Sequence, residues 1–224
     1  MKQVVLINEV GVSDADMGKI VIIAQYYADL VAKSWKCEPV IVSTTPTAGA
    51  WNIYITERLR QRGSKGHHNV KNGLPFAWVS LASVLGKLYG EVTPEKLIKA
   101  IVIGGKTIRA ASIRPAKYAD GLSTIVCHEM GEMMIDPMLE TWSRPDSQGR
   151  SWLVEICSHI YGSYFTDTVN GQFCVFHDFT LPEYYDTEWT PNLSLKGSVS
   201  KPFQLTKTAY AYYVAPGGKW TKVV

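Results

Sequence analysis

The sequence has few cysteines, and no two of Cys37, Cys127, Cys157 and Cys174 stand in a C-x-x-C pair. Their irregular spacing argues against a disulfide framework and for reduced thiols. Long apolar runs are missing too. None approaches the roughly 20 residues of a membrane span, and Val4-Val5-Leu6-Ile7 is too short for a secretory leader and reads as a strand. Charge of either sign is scarce, with 19% charged residues and a net charge of +3. The longest basic concentration, Arg58-Leu59-Arg60-Gln61-Arg62-Gly63-Ser64-Lys65, reads as a solvated strand end and loop rather than a nucleic-acid surface. Internal repeats and low-complexity linkers are absent. What remains is a globular chain of 224 residues, 46% of them hydrophobic. A chain of that size can bury roughly 70% of its unfolded surface without staples. It is expected to be soluble and to be made in a cytosol.

Hydrophobic periodicity organises the first half. Residues 2–10 read as a buried strand. Ser13-Asp14-Ala15-Asp16 offers an N-cap with an acid three residues on. From Met17, the apolar positions Ile20, Val21, Ala24, Tyr27, Ala28, Val31 and Trp35 keep a helical period, which predicts a helix over 14–36 ended by Pro39. Val40-Ile41-Val42 is a short strand and residues 51–58 alternate as a half-exposed one. Residues 63–73, rich in Gly, Ser, His and Asn, read as a loop, with His67 and His68 solvated in it. Residues 74–81 read as an edge strand because Pro75 cannot donate to a ladder. Thr93-Pro94-Glu95 marks a helix start.

The densest ionisable cluster is Cys127-His128-Glu129-Met130-Gly131-Glu132-Met133-Met134-Ile135-Asp136-Pro137, on a helix that should stop near Asp136 because Pro137 follows. One helical turn separates His128 from Glu132, so they share a face, and Glu129 projects about 100° away. This is the zinc-hydrolase helix H-E-x-x-H with Glu for the second His. A hydrolytic zinc site needs three protein ligands, an open position and a base. His128 and Glu132 supply two ligands and Glu129 the base. Glu155, on a later segment as in gluzincins, fits the third ligand, and His159 competes for that place or adds a fourth. Glu155 and His159 share a face whether residues 151–159 form a helix or a strand. A second carboxylate weakens the Lewis acid and loosens selectivity towards harder ions such as Mn²⁺, so the cofactor reads as zinc, another divalent ion or none. A hydrogen-bonded cluster without metal uses the same residues, and the spacing leaves both readings open. His177, Cys127, Cys157 and the aromatic residues of the tail read as packing.

The tail is β-rich. Asn170-Gly171 between two apolar runs is a two-residue hairpin signal. Residues 203–214 and 219–224, joined through Pro216-Gly217-Gly218, make a second hairpin.

Together, Cys127-His128-Glu129 through Glu132-Met133 and Asp136-Pro137, then Glu155-Ile156-Cys157-Ser158, then Asp178-Phe179-Thr180-Leu181-Pro182 resemble a family encoded by tailed phages and prophages. Its pattern is Ser-His-Glu-x-x-Glu-Met-x-x-Asp-Pro, Glu-Val-Cys-Asp and Asp/Asn-Phe-x-x-Pro. Gly66-His67-His68-Asn69 and the strand after it are similar to the family's Gly-Tyr-His-Asp loop, so the likeness runs from about residue 66 to 215. Cys127 stands for the family's Ser, and Ser158 for its Asp. These proteins are zincin-like, and some are virion components. The resemblance implies His128, Glu132 and Glu155 at the metal and Glu129 as the catalytic-type Glu.

The expected fold is therefore α/β and zincin-like: a mixed sheet carrying a long N-terminal helix and the central H-E-x-x-E helix over residues 1–160, with a β-rich extension over 161–224 packed on it. The expected function is a virion-associated structural protein on a metal-binding scaffold, assembling with other virion proteins or itself. The alternative is a zinc metallopeptidase with Glu129 as general base and a peptide lying along residues 74–81. No nucleic acid or membrane partner is expected.

Overall fold

A computed structural model of the chain describes residues 1–57, 64–86, 120–187 and 192–224. The helix start at Thr93-Pro94-Glu95, most of the basic run from Arg58 and the tail aromatic Trp189 lie outside the described residues. The first strand, β1 (Lys2–Asn8), leads into helix α1 (Asp14–Trp35). Then come β2 (Val40–Ser43), β3 (Trp51–Thr56), β4 (Gly66–Lys71), β5 (Leu74–Ser80) and the short helix α2 (Leu81–Gly86). After the central helix α3 (Leu122–Ile135) the elements are β6 (Ser151–Trp152), β7 (Tyr164–Val169), β8 (Gln172–His177), β9 (Ala211–Val214) and β10 (Trp220–Val223). None of the described helices is long and apolar enough to cross a membrane.

Five strands form one mixed sheet in the order β2-β1-β3-β5-β4. All neighbours run parallel except β4, which returns antiparallel on β5. Two expectations change here. The stretch read as a loop contains β4, and β5 is interior, so β4 is the edge. The return is made by Asn72-Gly73, both at positive φ (53° and 74°). That dipeptide is a type I′ hairpin signal. Pro75 is tolerated inside the sheet at the β5 end, where it stands opposite Val70.

Alternation decides the sheet's two faces. Val4, Leu6, Ile53, Ile55, Ala77 and Val79 point to the core, while Asn52, Tyr54, Phe76 and Trp78 are half-buried on the other side. Helices α1 and α3 pack on the core face and against each other, α1 beside β2 and α3 beside β4 and β5. The Ser13 hydroxyl caps α1 by accepting from the Asp16 N–H. Such a cap stabilises by about 1 kcal/mol. Fully burying one Ile or Leu is worth about 1.5–3 kcal/mol, so the buried row Met17, Ile20, Ile23, Ala24, Tyr27, Ala28 and Val31 holds the helix in place. Gly131 is where α3 meets α1: a Cβ there would lie 3.1 Å from the Tyr27 ring.

The β7–β8 hairpin forms at Asn170-Gly171, both at positive φ, and packs on α3. The Thr124 hydroxyl ties the two together: it accepts from the Gly121 N–H and donates to the Val175 carbonyl. Strands β10, β9 and β6 make a small antiparallel sheet. Residues 151–159 are neither one helix nor one strand. After β6 the chain turns and enters a 3-10 turn at Ser158–Ile160. Its backbone is set by individual bonds, such as the Thr180 N–H to the Ile156 carbonyl at 2.8 Å.

Candidate metal centre

Helix α3 is buried on nearly every side, so its ionisable residues must find partners inside the protein. Three segments supply them. Strand β4 contributes His68, which stands opposite Ala77 in the sheet register and so projects to the helix face. The small Ala77 side chain leaves room for the imidazole, which is 3% exposed. His68 Nδ1 lies 3.4 Å from Glu132 Oε2 and 3.7 Å from Glu129 Oε2. The 3-10 turn contributes its first residue, Ser158, whose N–H and hydroxyl both donate to Glu132 Oε1, at 3.0 and 2.7 Å. From the preceding turn of α3, His128 places Nε2 3.4 Å from the same oxygen.

Electrostatics sorts these groups. Burial alone would push the His68 pKa down, but contact with Glu129 and Glu132 outweighs it and holds the imidazole at about 10. Burial opposes ionisation of Glu132, yet His128, His68 and Ser158 together hold its carboxyl low. Burial raises Glu129, offset in part by His68. Glu155 is pushed up to about 8, by burial first and then by the charge of Glu132. Without a metal, the cluster is thus a buried His68–Glu132 ion pair beside carboxyls that resist ionisation.

Among the described residues, the three groups whose ligand atoms converge, all within 4.8 Å of one another, are His68, Glu129 and Glu132. This set shares Glu132 with the ligands expected from sequence and recruits Glu129, expected as the base. His128 sits one turn back, against Glu132. Glu155, together with His128, Glu129, Lys65, Tyr161 and Tyr210, lines a cavity of about 360 Å³ that opens beside the cluster. Its Oε2 is buried with no hydrogen-bond partner among the described residues. His159 packs among Trp152, Tyr184 and Tyr185 with ring centroids 5.3–6.2 Å away, within electrostatic reach of Glu132. Burial lowers its pKa to about 4.

His68 is the residue that sequence reasoning placed in solvent. Its signal was the Asn72-Gly73 turn: once that turn makes a hairpin, register with β5 sends His68 inward. Gly66 shows how closely β4 approaches α3, since a Cβ there would run into the Glu129 carboxyl, 2.7 Å from its Cδ. If the cluster takes up zinc, Gly66→Ala is expected to displace Glu129 and weaken that binding by at least about tenfold, a loss typical of disturbed metal surroundings. Titration calorimetry measures this; wild-type affinity in Gly66→Ala would refute the close fit.

The arrangement offers a cation one imidazole and two or three carboxylates. Such a donor set suits zinc and also harder ions. No protein-family model, curated protein or solved structure matches this chain.

Proposed function

We propose that the chain is a divalent-metal protein on a zincin-like scaffold, in which the ion ties helix α3 to edge strand β4. We further propose that it serves as a structural component of a tailed-phage particle, assembling with other virion proteins or with itself. The metal reading is carried by one observation: the buried convergence of His68, Glu129 and Glu132. A buried carboxylate pair is costly, and one His68 proton offsets one charge; a divalent cation offsets both. The unpartnered Glu155 Oε2 beside them adds a further oxygen donor. The zincin-like reading is supported by a mixed sheet whose antiparallel edge strand lies against the helix bearing His128, Glu129 and Glu132. The virion role rests on the resemblance carried by residues 127–137, 155–158 and 178–182.

A second reading, a metal-dependent peptidase, is favoured by the cavity that opens onto Glu129 and Glu155. A bound metal would supply Lewis acidity to a substrate carbonyl. Glu129 would take a proton from the attacking water, with the peptide beside β4 rather than β5.

Elemental analysis of protein purified without chelator tests the metal reading. One zinc or manganese per chain is expected in the wild type and none in His68→Ala. A metal-free wild type that also takes up none on dialysis against zinc sinks it. Chelator-sensitive cleavage of peptides by the same wild-type preparation would turn the choice to the peptidase.

A further inference from the structure

Behind the His128 ring lies a second buried cluster that the convergence of His68, Glu129 and Glu132 does not use. His128 Nδ1 meets His177 Nδ1 at 2.7 Å, and His177 Nε2 meets Asp120 Oδ1 at 2.7 Å. Asp120 has three other partners. The Tyr164 hydroxyl donates to Oδ1 at 2.7 Å, the Tyr161 hydroxyl donates to Oδ2 at 3.1 Å, and the Lys65 ammonium also donates to Oδ2. The side chains of Asp120 and His177 are each 1% exposed.

The proton positions in this chain follow from what each atom can donate. Asp120 is surrounded by donors, so it is the carboxylate, and His177 Nε2 carries the hydrogen between them. With one hydrogen per ring, that hydrogen is the only one on His177. Its Nδ1 then offers a lone pair. Two bare nitrogens cannot sit 2.7 Å apart, so the hydrogen between the rings is on His128 Nδ1. That leaves His128 Nε2 as a lone pair, 3.4 Å from the Glu132 carboxylate. A lone pair facing a carboxylate oxygen repels it unless a cation lies near both.

We propose that Asp120 and His177 are positioning residues that lock His128 in its Nδ1–H tautomer and present its Nε2 to Glu132 as a further metal ligand. The proposal builds on the metal reading above and adds His128 to the donors. Metal-ligating histidines commonly have their other ring nitrogen held this way. Here the carboxylate acts through an intervening imidazole, so the hold reaches from Lys65 and the β7–β8 hairpin to the centre. The reversed chain, with a doubly protonated His177 whose Nε2–H meets Asp120 and whose Nδ1–H donates to His128, and with His128 Nε2–H donating to Glu132, describes a closed hydrogen-bonded cluster that needs no metal.

Long-range ¹H–¹⁵N spectra of the metal-free protein separate the two directions. The expected result is a hydrogen on Nδ1 of His128 and on Nε2 of His177. A hydrogen on Nε2 of His128 would overturn the proposal. Zinc titrations of folded wild type, His177→Phe and His177→Asn supply the second readout. Phe removes the acceptor, and zinc affinity is expected to fall about 10–100-fold. The Asn side-chain carbonyl can replace Nδ1 as acceptor, and at least part of the loss should return. Equal affinity in wild type and His177→Phe overturns the positioning role and leaves the metal reading standing. A wild type that binds no zinc overturns the metal reading by itself, while the tautomer spectrum still decides the direction of the chain. The spectrum needs only the wild type, so a His177 variant that fails to fold does not block the test.

Discussion

Replacing Glu132 with Ala is expected to lower the stability of the metal-free protein by about 3–5 kcal/mol, the range found when one partner of a buried ion pair is removed. Two losses coincide at this residue. The His68 imidazolium, held at about 10 by Glu129 and Glu132, loses its nearer carboxylate. The Ser158 N–H and hydroxyl lose their shared acceptor inside the protein. An unsatisfied buried donor costs about 1–3 kcal/mol. Domains of ordinary size have only about 5–15 kcal/mol to lose, so the change would be evident in a urea titration with chelator present. Glu132→Gln keeps an oxygen for Ser158 but not the charge. It should fall between wild type and Ala, and the Gln-to-Ala step reads the Ser158 bonds together with the packing of the buried side chain. If Glu132→Ala lost less than about 1 kcal/mol, the ion pair would not be part of what holds β4 to α3.

Local rules explain which of these features were legible beforehand. Helix α1, strands β1 to β3, the end of α3 before Pro137 and the hairpin at Asn170-Gly171 follow from periodicity, capping and turn chemistry. Each depends on residues close in sequence. His128, Glu129 and Glu132 were readable for the same reason, since one helix carries all three. What was hidden depends on register between distant segments. His68 points inward because it pairs with Ala77 across the Asn72-Gly73 turn, and that register is not visible in the periodicity of residues 63–73. Asp120 and His177 belong to one chain of contacts only because β8 packs on α3. Glu155 and His159 were placed on one face by assuming a regular element. The irregular backbone there sends Glu155 to the cavity and His159 into an aromatic cage. Pro75 differs again: a missing N–H suits an edge, yet at the end of a strand it is accommodated inside the sheet.

Zinc affinity is expected to rise at least about tenfold per pH unit between roughly pH 6 and 9, the slope that accompanies release of one proton per ion. The proton comes from His68. Its pKa is raised from 6.5 to about 10, so over this range the imidazole is protonated and the cation must displace that proton. Glu155, pushed up to about 8, adds a second proton below that value if it ionises beside the ion, and the slope should then steepen on the acid side. The metal-free protein has the opposite trend. A folded-state pKa raised above the unfolded one contributes stability that is full below the unfolded value and is lost as pH rises through the folded one. His68 therefore supports the metal-free fold fully below about 6.5 and ceases to do so as pH approaches about 10. Glu155 acts in the same sense between 4.5 and about 8. Metal-free stability should fall with pH while metal binding strengthens. Each tenfold gain in affinity adds about 1.4 kcal/mol at saturating zinc. The gap between melting temperatures with and without zinc should therefore widen from pH 6 to pH 9. Calorimetry in two buffers of different ionisation enthalpy counts the released protons directly. A zinc affinity flat across this range would mean that the ion does not displace the His68 proton. The imidazole on β4 would then be only the counter-ion of Glu132 and no ligand.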